Sequence, residues 1–173
     1  MNEAALAHAP RAATLPHAAL ARLIAFLLPA GLLAAAYGSE YLGGLVPCEM
    51  CWWQRYAHFA ALVPALLAFA DRAESDRSRL FTLLAALAIA VSGAIGVYHA
   101  GVELGIFEGI TTCTSTASGA SNAELLESIM KTPLVRCDQV QWSFLGISMA
   151  GWNAILSLGG AAAIFLLSRK ARA

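Results

Sequence analysis

Charge is what this sequence has least of. Asp, Glu, Lys and Arg make up 13% of its 173 residues and cancel to a formal net charge of zero at pH 7, against about 25% charged residues in an ordinary globular domain. No basic excess is available to neutralise phosphates, which argues against nucleic acid as a partner. With 59% apolar residues, the chain also falls outside the disordered class, which combines low hydrophobicity with high net charge. It has no Gly-rich phosphate loop, no metal-ligating helix and no serine–histidine–acid set at workable spacing. Cysteine is sparse, at four residues.

The position of the few charges is informative. Four stretches have none: Leu23–Ser39, Tyr56–Ala70, Leu80–Val102 and Gln139–Ser168. The first, third and fourth reach the roughly 17–25 residues that a membrane-spanning helix needs. The second reaches it if Cys51, Trp52 and Trp53 are added and Arg55 is tolerated near one end. A soluble bundle would need a polar face on each helix, and Leu83–Val97 has almost none. A cleavable leader before Leu23 is a competing reading of the first run, but its length and the three runs that follow favour a retained helix. The expectation is an all-α polytopic membrane protein, a bundle of four transmembrane helices at about 20–38, 52–70, 80–99 and 143–167. Tails of 1–19 and 168–173 and outer loops of 39–51 and 100–142 complete it.

Lys and Arg set the orientation. Arg11, Arg22, Arg72, Arg77, Arg79, Arg169, Lys170 and Arg172 flank one side, and only Arg55, Lys131 and Arg136 the other. The positive-inside rule then puts both termini in the cytoplasm. The outer loops carry Glu40, Glu49, Glu103, Glu108, Glu124, Glu127 and Asp138 instead. In a bacterial inner membrane these two loops are periplasmic.

All four cysteines fall in those loops: Cys48 and Cys51 before the second span, Cys113 and Cys137 before the fourth. That side is oxidising in a bacterial envelope. Four cysteines pair in three ways, and Cys48 with Cys51 plus Cys113 with Cys137 keeps each pair within one loop. Exchange across the loops stays open. Three chemistries compete. Disulfides can simply staple the outer loops of a redox-silent membrane protein. A four-cysteine zinc site normally has two Cys-x-x-Cys pairs, and only one is present. A c-type haem is excluded, because Trp52 stands where the attachment motif needs histidine. The third is thiol–disulfide exchange, which suits the small ring of a Cys-x-x-Cys bridge.

Local sequence favours exchange. In Pro47-Cys48-Glu49-Met50-Cys51-Trp52-Trp53-Gln54-Arg55, proline restricts the entry and Cys51 falls near the first helical turn, where the dipole favours a thiolate. Arg55, four residues on, shares that helix face and is a candidate to lower the sulfur's pKa or hold a polar acceptor ring; its bland reading is an interfacial arginine snorkelling outward. His99 closes the third span at the same outer face, as an interface residue or a donor to a reduced carrier. His58 is ambiguous, and His8 and His17 read as tail residues. Ser121-Asn122-Ala123-Glu124 fits a capping box, opening a short amphipathic helix with Leu125, Leu126, Ile129 and Met130 on one stripe and Pro133 at its end. Cys113 sits in a small polar run that reads as an accessible segment.

Four spans, a Cys-x-x-Cys before the second, an arginine four residues beyond it and two cysteines in the second outer loop together resemble the disulfide bond formation protein B (DsbB) family. The run Gln141-Trp142-Ser143-Phe144-Leu145-Gly146-Ile147-Ser148-Met149-Ala150-Gly151-Trp152 resembles that family's fourth-helix entry. The resemblance covers roughly residues 20–167. It implies reoxidation of a periplasmic thioredoxin-fold oxidase of the DsbA type, with electrons passed to membrane quinone, ubiquinone or menaquinone. By the same match, Cys113 meets the partner's thiolate and Cys137 is its loop partner. Cys48 and Cys51 form the pair beside the quinone, with Cys51 contacting the ring, and Arg55 and His99 belong to the quinone site.

Overall fold

The computed structural model describes residues 16–109, 121–124 and 135–171. Four long helices account for most of them: α1 (His17–Tyr41), α2 (Glu49–Leu67, extended by a 3-10 turn at Ala68–Ala70), α3 (Asp76–Glu103) and α4 (Met149–Lys170). Each packs on its two neighbours in a ring α1–α2–α3–α4.

Three of the helices, α1, α3 and α4, are long and apolar enough to cross a membrane, with mean hydropathies of 2.0, 2.3 and 1.6 over their best windows. The protein is therefore a mostly helical membrane protein. α2 is not among the three, because Gln54, Arg55 and His58 interrupt its apolar run; all three side chains are buried against the other helices. The bundle is accordingly apolar outside and partly polar inside. Leu27, Val63, Leu87, Val91 and Phe165 face outward, as lipid contact requires, while His58, Ser92, His99 and Ser157 are buried.

The interior is layered. At the end where α1 begins and α4 finishes, Ala21, Ala25, Ala61, Ala65, Ala85, Ala86 and Ala161 close around Ile89 and Ile164. Small side chains let helix backbones approach closely, which is how helices associate where no water drives them together. Arg22 anchors this end, donating to the Asp71 carbonyl and lying over the Phe69 ring. At the opposite end Cys48, Met50, Val102 and Cys137 form a second cluster. A polar layer separates the two.

Helix termini follow local chemistry. Ser75 caps α3 by accepting from Ser78 N, and Ser148 caps α4 by accepting from Gly151 N. The expected helix start near Ser143 is displaced to Met149. Ser143–Phe144 and Ile147–Ser148 instead pair as a two-rung antiparallel hairpin, its turn made by Leu145 and Gly146 at φ +53° and +78°. Positive φ at both central residues is the hairpin-favouring turn geometry. The capping box at Ser121 forms, Ser121 Oγ accepting from Glu124 N and Glu124 Oε2 from Ser121 N; Leu125, Leu126, Ile129 and Met130 lie outside the described residues, as do Cys113 and His8.

α3 comes backbone to backbone against α4 at Gly96. A methyl group added there would stand 3.0 Å from both Ala150 O and Ala154 N and 3.1 Å from Asn153 Nδ2, so the backbone of α4 would have to give way. Gly96→Val is expected to lower the thermal midpoint of the detergent-solubilised protein by several degrees, about 1–3 kcal/mol of overpacking. Gly31→Ala, at an open helical position, is expected to leave it unchanged or raise it slightly. Equal midpoints for the two variants would show that α3 and α4 do not meet at Gly96.

Candidate functional site

The cysteine end of the bundle is built on the first turn of α2. Cys48 is the N-cap residue, in an extended conformation, and its sulfur accepts from Cys51 N at 3.4 Å. This folds the two sulfurs to 3.1 Å apart. Cys51 is half-buried and Cys48 buried. Cys51 is thus the more exposed residue of the two.

Cys137, from the loop between α3 and α4, packs against this pair rather than away from it. It is buried with Cys48 and Val102, flanked by Val135 and Tyr98, and its side chain hydrogen-bonds Cys48. That bond, then the one to Cys51, then burial push the Cys48 thiol well above the usual thiol range. In the reduced site Cys48 therefore keeps its proton. The sulfur favoured as thiolate is Cys51, in the helix's first turn. The structure thus brings together Cys48, Cys51 and Cys137 from the sequence-derived set, and Cys113 lies outside the described residues.

His99 lies beside Cys48, and Arg55 stands one helical turn on from Cys51. His99 ends α3's buried face with Nε2 3.5 Å from Cys48 Sγ and 3.9 Å from Glu103 Oε1. The ring also lies within hydrogen-bonding reach of the Cys137 backbone. Arg55 points into the groove between α1 and α2. It pairs with Glu40, donates to the Ala36 carbonyl at 3.2 Å, and sits over the rings of Tyr37 and Trp52 at 4.7 and 4.9 Å. Arg55 is only 5% exposed, so an outward-snorkelling arginine does not describe it.

Sequence reasoning passed over the residues beneath the cysteines. Gln54, one turn below Met50, contacts His99 Nδ1 at 2.9 Å and accepts from Asn153 Nδ2 at 2.7 Å. Asn153 Oδ1 in turn meets His58 Nε2 at 2.9 Å and accepts from Ser157 Oγ at 3.1 Å. Ser92 joins α3 to the set by contacting His58 Nε2 and donating to the Gln54 carbonyl. One signal was available: Asn153 is a lone amide in an otherwise apolar span, and such residues face the bundle interior.

The family model for the disulfide bond formation protein DsbB matches residues 18–167. A disulfide bond formation protein B from Marinobacter nauticus is 34% identical over 140 residues, covering 76% of this chain and 80% of its own length. One from Methylococcus capsulatus is 35% identical over 150 residues, covering 84% and 91%. One from Xanthomonas oryzae is 33% identical over 143 residues, covering 79% and 82%. No solved structure matches the chain. With most of its length matched and relatives at a third identity, the chain belongs to the disulfide bond formation protein B (DsbB) family.

Proposed function

We propose that the protein is a quinone-dependent thiol oxidase of the bacterial inner membrane, which reoxidises a periplasmic thioredoxin-fold partner of the DsbA type. Family membership supports disulfide oxidoreductase chemistry. The observation that carries the mechanism is the seating of Cys137 against Cys48. A cysteine from the second loop in contact with the Cys-x-x-Cys pair gives electrons a path from a loop that a soluble partner can reach to a pair fixed at the membrane.

The steps follow from thiolate–disulfide exchange. The partner's thiolate attacks Cys113 of a Cys113–Cys137 disulfide, and Cys137 leaves as a thiolate. Cys137 then attacks Cys48: the Cys137–Cys48 bond forms, the Cys48–Cys51 bond breaks, and Cys51 leaves with the electron pair. The N-terminus of α2 accommodates that charge. A strongly oxidising partner, about −120 mV for DsbA itself, needs an acceptor downstream. A quinone, when bound, supplies a two-electron acceptor. Arg55 with Tyr37 and Trp52 suits such a planar ring with carbonyl oxygens, since a guanidinium offers both stacking and donors. Cys51 is the sulfur on that side.

In this reading α2 is a fourth span, its Gln54, Arg55 and His58 shielded from lipid by the other helices. Both termini are cytoplasmic and both cysteine loops periplasmic. The basic residues at one end of the bundle, Arg22, Arg72, Arg77, Arg79, Arg169 and Lys170, support that orientation.

The test is quinone reduction by the purified full-length protein with a reduced DsbA-type partner, using ubiquinone and menaquinone analogues. Turnover is expected with at least one of them. No turnover with either would leave a membrane protein whose disulfides only staple its loops. Cys113→Ser is expected to abolish oxidation of the partner while the Cys48–Cys51 pair, reduced by a small dithiol, is still reoxidised by quinone. Undiminished partner oxidation would remove Cys113 from the path. Arg55→Ala is expected to raise the apparent quinone KM about tenfold or more, with Arg55→Lys intermediate because it keeps the charge and loses the fork. An unchanged KM in both would make Arg55 a structural tie to Glu40 alone.

A further inference from the structure

The amides beneath the cysteines have determined orientations. Gln54 lies 3.2 Å from Met50 O, and Asn153 lies 3.1 Å from Ser92 O. A backbone carbonyl only accepts, so each amide must present its NH2 group there. Gln54 Oε1 is then free to accept from Asn153 Nδ2, which it does at 2.7 Å. The opposite orientation of Gln54 would set oxygen against oxygen at Met50 and nitrogen against nitrogen at Asn153. Gln54 therefore also faces His99 Nδ1 with an N–H, at 2.9 Å. Nδ1 can only accept. The proton of a neutral imidazole is left on Nε2.

That nitrogen faces the reacting groups. Nε2 lies 3.5 Å from Cys48 Sγ. With Nδ1 occupied, the contact of the His99 ring with the Cys137 backbone falls to the same N–H. Glu103 Oε1 stands behind it at 3.9 Å. One donor thus bridges the two loops at the place where Cys137 must meet Cys48.

The geometry points to a tautomer lock: Gln54 of α2, itself held by Asn153 of α4, keeps the proton of His99 on Nε2, so that this N–H aligns Cys137 with Cys48 for disulfide exchange. The inference rests on the exchange path proposed above. His99 is the residue in contact with the reacting sulfur; Gln54 and Asn153 are positioning residues that act through it. An amide pair that served only to hold the helices together would leave the bridging rate insensitive to which nitrogen of His99 carries the proton. The lock needs one particular nitrogen.

The full-length protein labelled with nitrogen-15 histidine, in detergent micelles, reports the tautomer directly, with His99→Phe used to assign the resonance. The expected result is a neutral His99 protonated at Nε2. A proton on Nδ1 in the unmodified protein overturns the lock, whatever any variant does. Gln54→Leu is expected to give mixed tautomers. In a single turnover quenched by acid and alkylation, it is also expected to slow formation of the Cys48–Cys137 bridge about tenfold. Asn153→Leu is expected to do the same more weakly. Gln54→Leu with an unaltered tautomer and an unaltered bridging rate overturns the proposal. Failure of the unmodified protein to reduce quinone would instead overturn the functional reading, and the resonance of His99 would still decide where its proton sits.

Discussion

Inside a bilayer a polar side chain has only other side chains and backbone carbonyls to bond to, and each unsatisfied group costs several kcal/mol. That constraint organises this bundle. Gln54, His58, Ser92, Asn153 and Ser157 are carried by three different helices, and the bonds that join them form only when all three stand at one height and one rotation. A one-residue slip of α4 would take Asn153 away from Gln54 and Ser92 together. The polar layer is therefore a register key as well as a support for the histidine above it. It is compatible with close packing because Gly96 lets α4 come against α3 beside it.

From this layer the cysteine end follows. The helix N-terminus of α2 holds Cys48 and Cys51, the top of α3 holds His99, and the α3–α4 loop lays Cys137 on both. Arg55 ties α2 to the last turn of α1 through Glu40. Cys48 thus has Cys137 and an imidazole beside it, while the helix face of Cys51 leads to a guanidinium set over two aromatic rings. Under the proposed function the first sulfur is the one attacked and the second the one that leaves.

Much of this was legible in the residues. Charge cannot sit in hydrocarbon cheaply, so the gaps between charges mark α1, α3 and the end of α4, while the start of α4 comes later than its gap suggests. Pro47 and the spacing of Cys48 and Cys51 place the pair at a helix entry, and Ser121 with Glu124 announces its cap. What escaped has physical reasons. α2 spends its polarity on Gln54, Arg55 and His58, so hydropathy understates it. The hairpin before α4 depends on Leu145 adopting a conformation that leucine seldom takes. Cys137 against Cys48 is a contact between distant parts of the chain, which periodicity does not encode. The amide pair is two single residues whose meaning appears only when three helices are assembled.

The alanine layer at the basic end bears on bioenergetics. Ala21, Ala25, Ala61 and Ala65 are packed with essentially no exposure, and interiors of this kind hold no chain of waters. Among the described residues, this layer leaves protons at that end no conduit to the histidines or the sulfurs. Under the proposed function, the protons that accompany electrons to an acceptor at the cysteine end are drawn from that same end, beginning with those the thiols give up. Turnover then moves no net charge across the bilayer, and its rate is indifferent to the membrane potential.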